Sequence, residues 1–248
     1  MLRSILYALQ TLILVLWIFV ATFLIASTVI VCSFFSRTGN LPHLLARWWA
    51  NSILWVSRAK ITVTGTEKLN PGQSYIYMPN HQSNADIPLL LGRLPVQFRW
   101  LAKEELFKIP IFGRAMRGVG YISIDRSNRK SAFASLERAA RTIRNGTSVL
   151  IFPEGTRSRD GNILPFKKGG FVLSVDAGVP IVPIIIRGTG SIIPKGHFMI
   201  RPAPVSMRIL DPVETAGYTR KTKDQLLDRI RSILIDHIQE EERESPSC

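Results

Sequence analysis

The first feature of the chain is a long apolar segment. No charged residue and no histidine occurs between Ser4 and Ser36, and Arg3 and Arg37 flank this stretch. As a helix it would measure roughly 50 Å, whereas the hydrocarbon core of a bilayer is about 30 Å thick. The apolar region of a secretory signal peptide is shorter, about 7–15 residues. The pattern therefore predicts a membrane-embedded helix, which either spans the bilayer or re-enters it.

A second helical pattern covers residues 41–60. Trp48, Trp49 and Trp55 lie here among basic residues. Tryptophan beside cations suits the headgroup layer, because the ring is amphipathic and the cations meet lipid phosphate. A helix packed on a soluble domain explains the same pattern, and both interpretations stay open. We predict that residues 1–60 form a membrane-anchoring helical segment and that residues 61–248 form a separate domain.

Beyond residue 60, short β-branched runs alternate with helical patterns. Apolar residues recur at helical spacing in 131–144, where Asn145 and Gly146 supply a stop, and in 223–241. This alternation predicts an α/β domain with a mixed, largely parallel sheet flanked by helices. The predicted strands are 61–64, 75–78, 98–101, 120–124, 149–152, 181–186 and 205–209.

Charge narrows the class of partner. The chain has 32 Lys and Arg against 18 Asp and Glu, a net charge of +14, so an anionic partner is expected. No acidic residue precedes Glu67, which favours an anionic membrane over nucleic acid. Cys32 and Cys248 are poorly placed to pair, and the histidines are scattered. We expect neither a disulfide nor a metal site.

The first polar motif, residues 79–86, directly follows the predicted strand 75–78. Ligands bind at such strand ends in α/β sheets. His81 and Asp86 would lie about 140° apart on one continuous helix. They can meet only if His81 is in the loop and Asp86 in the first helical turn, capped by Ser83 or Asn84. Asp86 would then orient His81 as a general base. A polar turn without catalytic function is the alternative.

The second polar motif, residues 152–158, also follows a predicted strand. Gly155 permits close approach of the backbone, Thr156 offers a hydroxyl, and Arg157 offers a planar fork for phosphate. Glu154 would repel phosphate unless it pairs with Arg157 or faces a hydroxyl. A basic, glycine-rich stretch at 167–170 follows closely. The segment is typical of a phosphate-monoester pocket, and a solvated basic loop is the alternative.

These residues together resemble the glycerolipid acyltransferases, specifically the 1-acylglycerol-3-phosphate O-acyltransferases. The first family motif, N-H-x-x-x-x-D, matches Asn80, His81 and Asp86. The other three match 120–126, which ends at Arg126, then 152–158, and finally 179–183. The motifs also occur in the family's order and spacing. The resemblance covers roughly residues 61–210.

The resemblance implies a function and a set of roles. His81 is the general base, and Asp86 orients it. Glu154, Gly155, Thr156 and Arg157 bind the acceptor phosphate with the help of Arg126, and residues 179–183 line the acyl-donor side. The implied reaction moves an acyl group from acyl-CoA or acyl-carrier protein to the sn-2 hydroxyl of lysophosphatidic acid. It gives phosphatidic acid and uses no cofactor.

The expected setting is a membrane, with membrane phospholipid as a partner. A polyanionic donor requires a cytoplasmic catalytic face, and basic residues after the apolar segment agree with that side. We expect a bacterial inner membrane. The alternatives are another acceptor, namely glycerol-3-phosphate or a different lysophospholipid, a hydrolase that uses water, and an inactive lipid-binding module. Nucleic acid is not expected.

Overall fold

One seven-stranded sheet forms the centre of the protein. A computed structural model describes residues 2–125, 128–158, 160–192, 200 and 202–244. The strands are β1 (Lys60–Thr64), β2 (Ile76–Pro79), β3 (Phe98–Lys103), β4 (Ile122–Ile124), β5 (Ser148–Leu150), β6 (Ile181–Arg187) and β7 (Pro204–Ile209). Their order across the sheet is β1-β7-β6-β2-β5-β3-β4. Neighbours run parallel except β6 and β7. The predicted fold class is confirmed, and each predicted strand overlaps an observed one.

Helices cover both faces of this sheet. They are α1 (Leu2–Phe35), α2 (Asn40–Ser57), α3 (Asp86–Arg93), α4 (Glu104–Phe107), α5 (Phe112–Val119), α6 (Arg129–Arg144), α7 (Gly169–Ala177), α8 (Thr189–Ile192) and α9 (Lys223–Glu244). One core cluster joins the sheet to α1, α2 and α3. A second joins the opposite face to α6, α7 and α9. The predicted helices 131–144 and 223–241 correspond to α6 and α9.

The first two helices form an antiparallel hairpin. Gln10 Nε2 donates to the carbonyl of Ser57 at 3.1 Å, and Trp49 Nε1 donates to Thr22 Oγ1 at 2.9 Å. Residues 5–35 of α1 are long and apolar enough to cross a membrane. One side of α1 nevertheless packs on the domain, where Leu14 and Val29 are buried. The helix is therefore part of the folded body as well as an apolar surface.

The tryptophans of α2 divide between two environments. Trp48 and Trp55 are 75% and 80% exposed. Trp49 is half-buried and faces α1. Ala50 and Ile53 on the same helix pack into the core. One face of α2 therefore packs on the domain, and the other presents indole rings to the surroundings. The place of this helix in the headgroup layer stays a prediction.

The central strand β2 determines where the polar motifs lie. All four of its residues are buried. Tyr77 belongs to the first core cluster, and Ile76 and Met78 belong to the second. Its neighbour β5 runs parallel to it. The carboxyl ends of both strands therefore lie at one edge of the sheet, and the loops that follow them come together there.

Candidate active site

The first polar motif forms a tight loop around one carboxylate. Asp86, the first residue of α3, is fully buried. Its Oδ2 atom lies 2.7 Å from Nδ1 of His81 and accepts hydrogen bonds from the backbone N–H groups of Gln82 at 2.8 Å and Ser83 at 2.9 Å. His81 is in the loop and Asp86 is in the first turn, as the spacing required. One carboxylate thus fixes both the loop and the imidazole ring.

The predicted helix cap was wrong. Ala85, not Ser83 or Asn84, precedes the helix, and no side chain caps it. Ser83 Oγ instead accepts from the N–H of Ala85 at 3.2 Å. The carboxylate of Asp86 instead points back to the loop, where it accepts from N–H groups that precede the helix.

The imidazole ring of His81 is held on a flat aromatic support. It stacks on Phe152 with ring centroids 3.8 Å apart and an interplanar angle of 16°. Phe152 in turn stacks on Trp100 at 5.6 Å. When the Nδ1 proton is donated to Asp86, Nε2 is left as the acceptor. Sequence reasoning missed this role of Phe152, although its place as the first residue of the second motif was a usable signal.

Asn80, the first residue of the family motif, joins two strands. Its Oδ1 accepts from the N–H of Ile186 at 2.7 Å, and its Nδ2 donates to the carbonyl of Ile186 at 3.0 Å. The side chain thereby extends the pairing of β2 with β6 beyond the end of β2. It fixes the point from which the loop of His81 departs.

Glu154 connects the two polar motifs. Its carboxylate is buried, with the residue 1% exposed. Oε1 accepts from the backbone N–H of His81 at 2.7 Å, and Oε2 accepts from the N–H of Leu164 at 2.9 Å. Burial raises the pKa of Glu154 to about 7, although the two N–H donors act in the opposite direction. Both oxygens face backbone, and this geometry is that of a residue that positions the loops.

The remaining residues of the second motif reach the surface of a cavity. Gly155 makes the turn after Glu154. Its φ of +73° is a backbone conformation that residues with a side chain rarely adopt. Gly155, Thr156 and Arg157 line the cavity together with His81. Arg126 lies outside the described residues. The structure therefore brings the base candidate and three of the predicted phosphate contacts to one place.

Other basic candidates divide between two locations. Lys103, at the end of β3, lines the cavity, and its Nζ lies 3.0 Å from Glu105. Lys167 and Lys168 are exposed and do not line it. Lys168 instead pairs with Asp224 of α9 at 2.8 Å. Neither lysine therefore lines this cavity, and their contribution to a phosphate pocket stays a prediction.

The cavity has a volume of about 820 Å³. Its polar end holds His81 and Arg157, and apolar residues of α1, α2, α3 and α5 form most of its wall. Residues 179–183 do not line it, because Ile181 and Val182 are fully buried within the sheet. Their place on the acyl-donor side stays a prediction. Within the described ranges, no three His, Cys, Asp or Glu side chains could hold a metal ion.

Comparisons with known proteins identify the family of the chain. The family model described as Acyltransferase matches residues 60–187. The 1-acyl-sn-glycerol-3-phosphate acyltransferase of Cocos nucifera is 33% identical over 209 residues, which is 84% of this chain and 66% of the relative. That of Limnanthes douglasii is 34% identical over 204 residues, 82% of this chain and 70% of the relative. The chain belongs to the 1-acyl-sn-glycerol-3-phosphate acyltransferase family.

A solved structure extends the agreement over nearly the whole chain. PlsC of Thermotoga maritima, described as a 1-acyl-sn-glycerophosphate (LPA) acyltransferase, superposes with a TM-score of 0.81 at 30% identity. The match covers 96% of this chain and 97% of PlsC. It therefore includes the α1–α2 hairpin, which lies outside the matched family model. The resemblance noted from the motifs is confirmed at the level of family and fold.

Proposed function

We propose that this protein transfers a fatty acyl group to the sn-2 hydroxyl of lysophosphatidic acid and gives phosphatidic acid. The donor is acyl-CoA or acyl-carrier protein. One observation carries the proposal: His81, in contact with Asp86, lines a mostly apolar cavity together with Arg157. The Cocos nucifera and Limnanthes douglasii relatives, named for this reaction, support the choice of acceptor.

The chemistry needs one base and no covalent enzyme intermediate. Nε2 of His81 takes the proton of the sn-2 hydroxyl while the hydroxyl oxygen of the acceptor attacks the thioester carbonyl carbon. The C–S bond then breaks, and the thiolate takes the proton from the imidazolium. Asp86 stabilises the imidazolium and keeps the ring in the productive tautomer. An ester and a thiol form, and His81 returns to its starting state without a cofactor.

The acceptor phosphate is bound by the loop that follows β5. Arg157 supplies a charged fork, while Gly155 and Thr156 supply backbone and hydroxyl groups beside it. The family motif implies Arg126 as a further phosphate ligand. Glu154 holds this loop and the loop of His81 in place, because its carboxylate accepts from the backbone N–H groups of His81 and Leu164. We therefore assign Glu154 a positioning role rather than contact with phosphate.

The protein works at a membrane surface. The outward face of α1 and the exposed rings of Trp48 and Trp55 favour lipid contact. Because the inner side of α1 packs on the domain, the catalytic body is held against the same bilayer. The donor is soluble and polyanionic, so the catalytic face is cytoplasmic. A bacterial inner membrane is the proposed location.

The test is thiol release from palmitoyl-CoA by the full chain in phospholipid vesicles, with and without lysophosphatidic acid. Release that requires the acceptor, with phosphatidic acid formed in step, is the expected result. Release without acceptor would identify a thioesterase. No release with either palmitoyl-CoA or palmitoyl-carrier protein, on lysophosphatidic acid or another lysophospholipid, would overturn the transferase proposal.

A pair of histidine variants tests the assignment of the base. We expect His81→Ala to lower the transfer rate by about 10²–10⁴-fold. His237→Ala is the matched control, because His237 lies on α9 and does not line the cavity. It should retain the parent rate. Near-normal transfer by His81→Ala would exclude His81 as the base.

A further inference from the structure

Exposed apolar residues are concentrated beyond α1 and α2 in one short segment. Among the described residues outside these two helices, four large hydrophobic residues are exposed: Leu106, Ile109, Ile111 and Phe133. Three of the four fall within residues 106–111, at the end of α4 and the turn before α5. This stretch is called the 106–111 segment. Scattered exposed residues are ordinary, but a cluster of this kind marks an interaction surface.

The 106–111 segment lies beside the cavity and is continuous with α1. Leu106 and Phe112 both line the cavity, and Leu106 is also 40% exposed. The segment therefore stands where the cavity wall meets the outer surface. The helix that follows, α5, packs on α1 through Ala115 against Ala26. The apolar surface of α1 is thus extended towards the cavity by these residues.

The fold presents this apolar segment outward through specific anchors. Phe107 is 3% exposed, and its carbonyl accepts from Arg117 Nη2 at 2.8 Å. Gly113 leaves room for that carbonyl, since a Cβ there would lie 2.2 Å from it. Ile111 has φ +63° and ψ −62°, and the N–H of Phe112 bonds to the carbonyl of Pro110 at 2.6 Å. A β-branched residue in such a γ-turn is strained, and strain of this kind accumulates at functional positions.

Cations accompany the exposed apolar side chains. Lys108 is in the segment with its side chain 66% exposed and its Nζ 3.6 Å from Glu104, and the exposed Arg114 follows on α5. Apolar residues with adjacent cations are the composition that binds an anionic bilayer at headgroup depth. A soluble protein partner is less well matched, because the segment adjoins α1 and the cavity rather than a separate face.

We propose that the 106–111 segment is a second lipid-contact element, inserted into the headgroup layer of the leaflet that holds α1 and α2. It forms the rim over which the acyl chain of the acceptor passes from the bilayer into the cavity. The chain then enters without crossing water. The proposal rests on the membrane attachment proposed above and adds the 106–111 segment to the surface that contacts lipid.

Site-specific labels separate the two proposals. In a Cys32→Ser/Cys248→Ser background, an environment-sensitive fluorophore is attached at Ile109→Cys, at Phe19→Cys on α1, or at Gln239→Cys on α9. Vesicles carry anionic phospholipid with a quencher at headgroup or mid-chain depth. We expect headgroup-depth quenching at 109, quenching at 19, and none at 239. Quenching at 19 without quenching at 109 overturns this inference alone, and absence at both positions overturns membrane attachment as well.

A kinetic test asks whether the segment serves substrate entry. Neither Ile109 nor Ile111 lines the cavity. For Ile109→Ser/Ile111→Ser we expect about a tenfold fall in kcat/KM with long-chain lysophosphatidic acid in vesicles, because less apolar surface is buried in lipid. The rate with a short-chain, water-soluble acceptor should be unchanged. Phe133→Ser, on the opposite helical layer, is the matched control. An equal loss with both acceptors, or the same selective loss in Phe133→Ser, would contradict the proposal.

Discussion

The Glu154 carboxylate accepts a hydrogen bond from the backbone N–H of His81 at 2.7 Å, across 73 positions of sequence. Its other oxygen accepts from Leu164 at 2.9 Å. A single buried side chain thus ties the loop of His81, which follows β2, to the loop that follows β5. The position of the imidazole ring depends on both.

The first prediction concerns Glu154→Gln. Glutamine keeps one acceptor oxygen but cannot accept from both N–H groups, so the loop of His81 should lose its fixed position. We expect kcat to fall about 10–100-fold with little change in KM for lysophosphatidic acid. Steady-state kinetics in vesicles measure this split. A raised KM with normal kcat would instead favour direct contact between Glu154 and the phosphate.

The second prediction concerns pH. The pKa of Glu154 is raised from 4.5 to about 7 by burial. Between these values the folded state binds more protons than the unfolded state, so stability falls as pH rises through this window and is level above it. The effect over this window is on the order of 3 kcal/mol. Thermal unfolding is measured in detergent at pH 5 and at pH 8. The fall in Tm from pH 5 to pH 8 should be larger for the parent protein than for Glu154→Gln. An equal fall in Tm for the two proteins would show that Glu154 does not titrate between pH 5 and pH 8.

The third prediction concerns Asp86→Asn. The amide can replace one hydrogen-bond contact but cannot stabilise an imidazolium, and it favours the wrong tautomer of His81. We expect a loss of about 10²–10⁴-fold in kcat. Because Asp86 also binds the N–H groups of Gln82 and Ser83, Tm is measured alongside activity. Full activity in a stably folded variant would rule out an orienting role for Asp86.

The fourth prediction concerns the cavity. Ala46 on α2 lines it and is only partly buried, so a larger side chain can enter without displacing the core. Ala46→Phe should lower kcat/KM for an 18-carbon acyl group about tenfold relative to a 12-carbon group, since lost methylene contacts cost about 1–3 kcal/mol. Competition between the two acyl chains gives this ratio directly. An unchanged ratio would mean that neither chain reaches Ala46.

Much of the fold could be read from the sequence because its signals are local. The strand pattern around Tyr77 and the stripe of α9 follow from side-chain periodicity alone. The contact of His81 with Asp86 was accessible because both residues lie within one short motif. The order of the strands in the sheet could not be predicted from the sequence, since it depends on which strands pair when the chain folds.

The role of Glu154 could not be predicted for a related reason. Its partners are backbone N–H groups, which every residue carries, so no side-chain pattern marks them. The support of His81 by Phe152 and the contribution of α1 to the cavity are also tertiary contacts. The sequence motifs identified which residues lie close together. The contacts that each of them makes depend on distances between loops at the edge of the sheet, which the sequence does not give.

The shared wall of the cavity has a consequence for how the protein is made. Leu14 on α1 and Ile53 on α2 belong to the same core cluster as Tyr77 and Leu89 of the following domain. A ribosome synthesises α1 and α2 before any strand exists, so the membrane attachment proposed above implies that this hairpin enters the bilayer before the rest of the chain folds. The sheet then completes its core against a surface that is already in the lipid. A shortened chain that starts at residue 61 would leave that core open to water, and we expect it to aggregate.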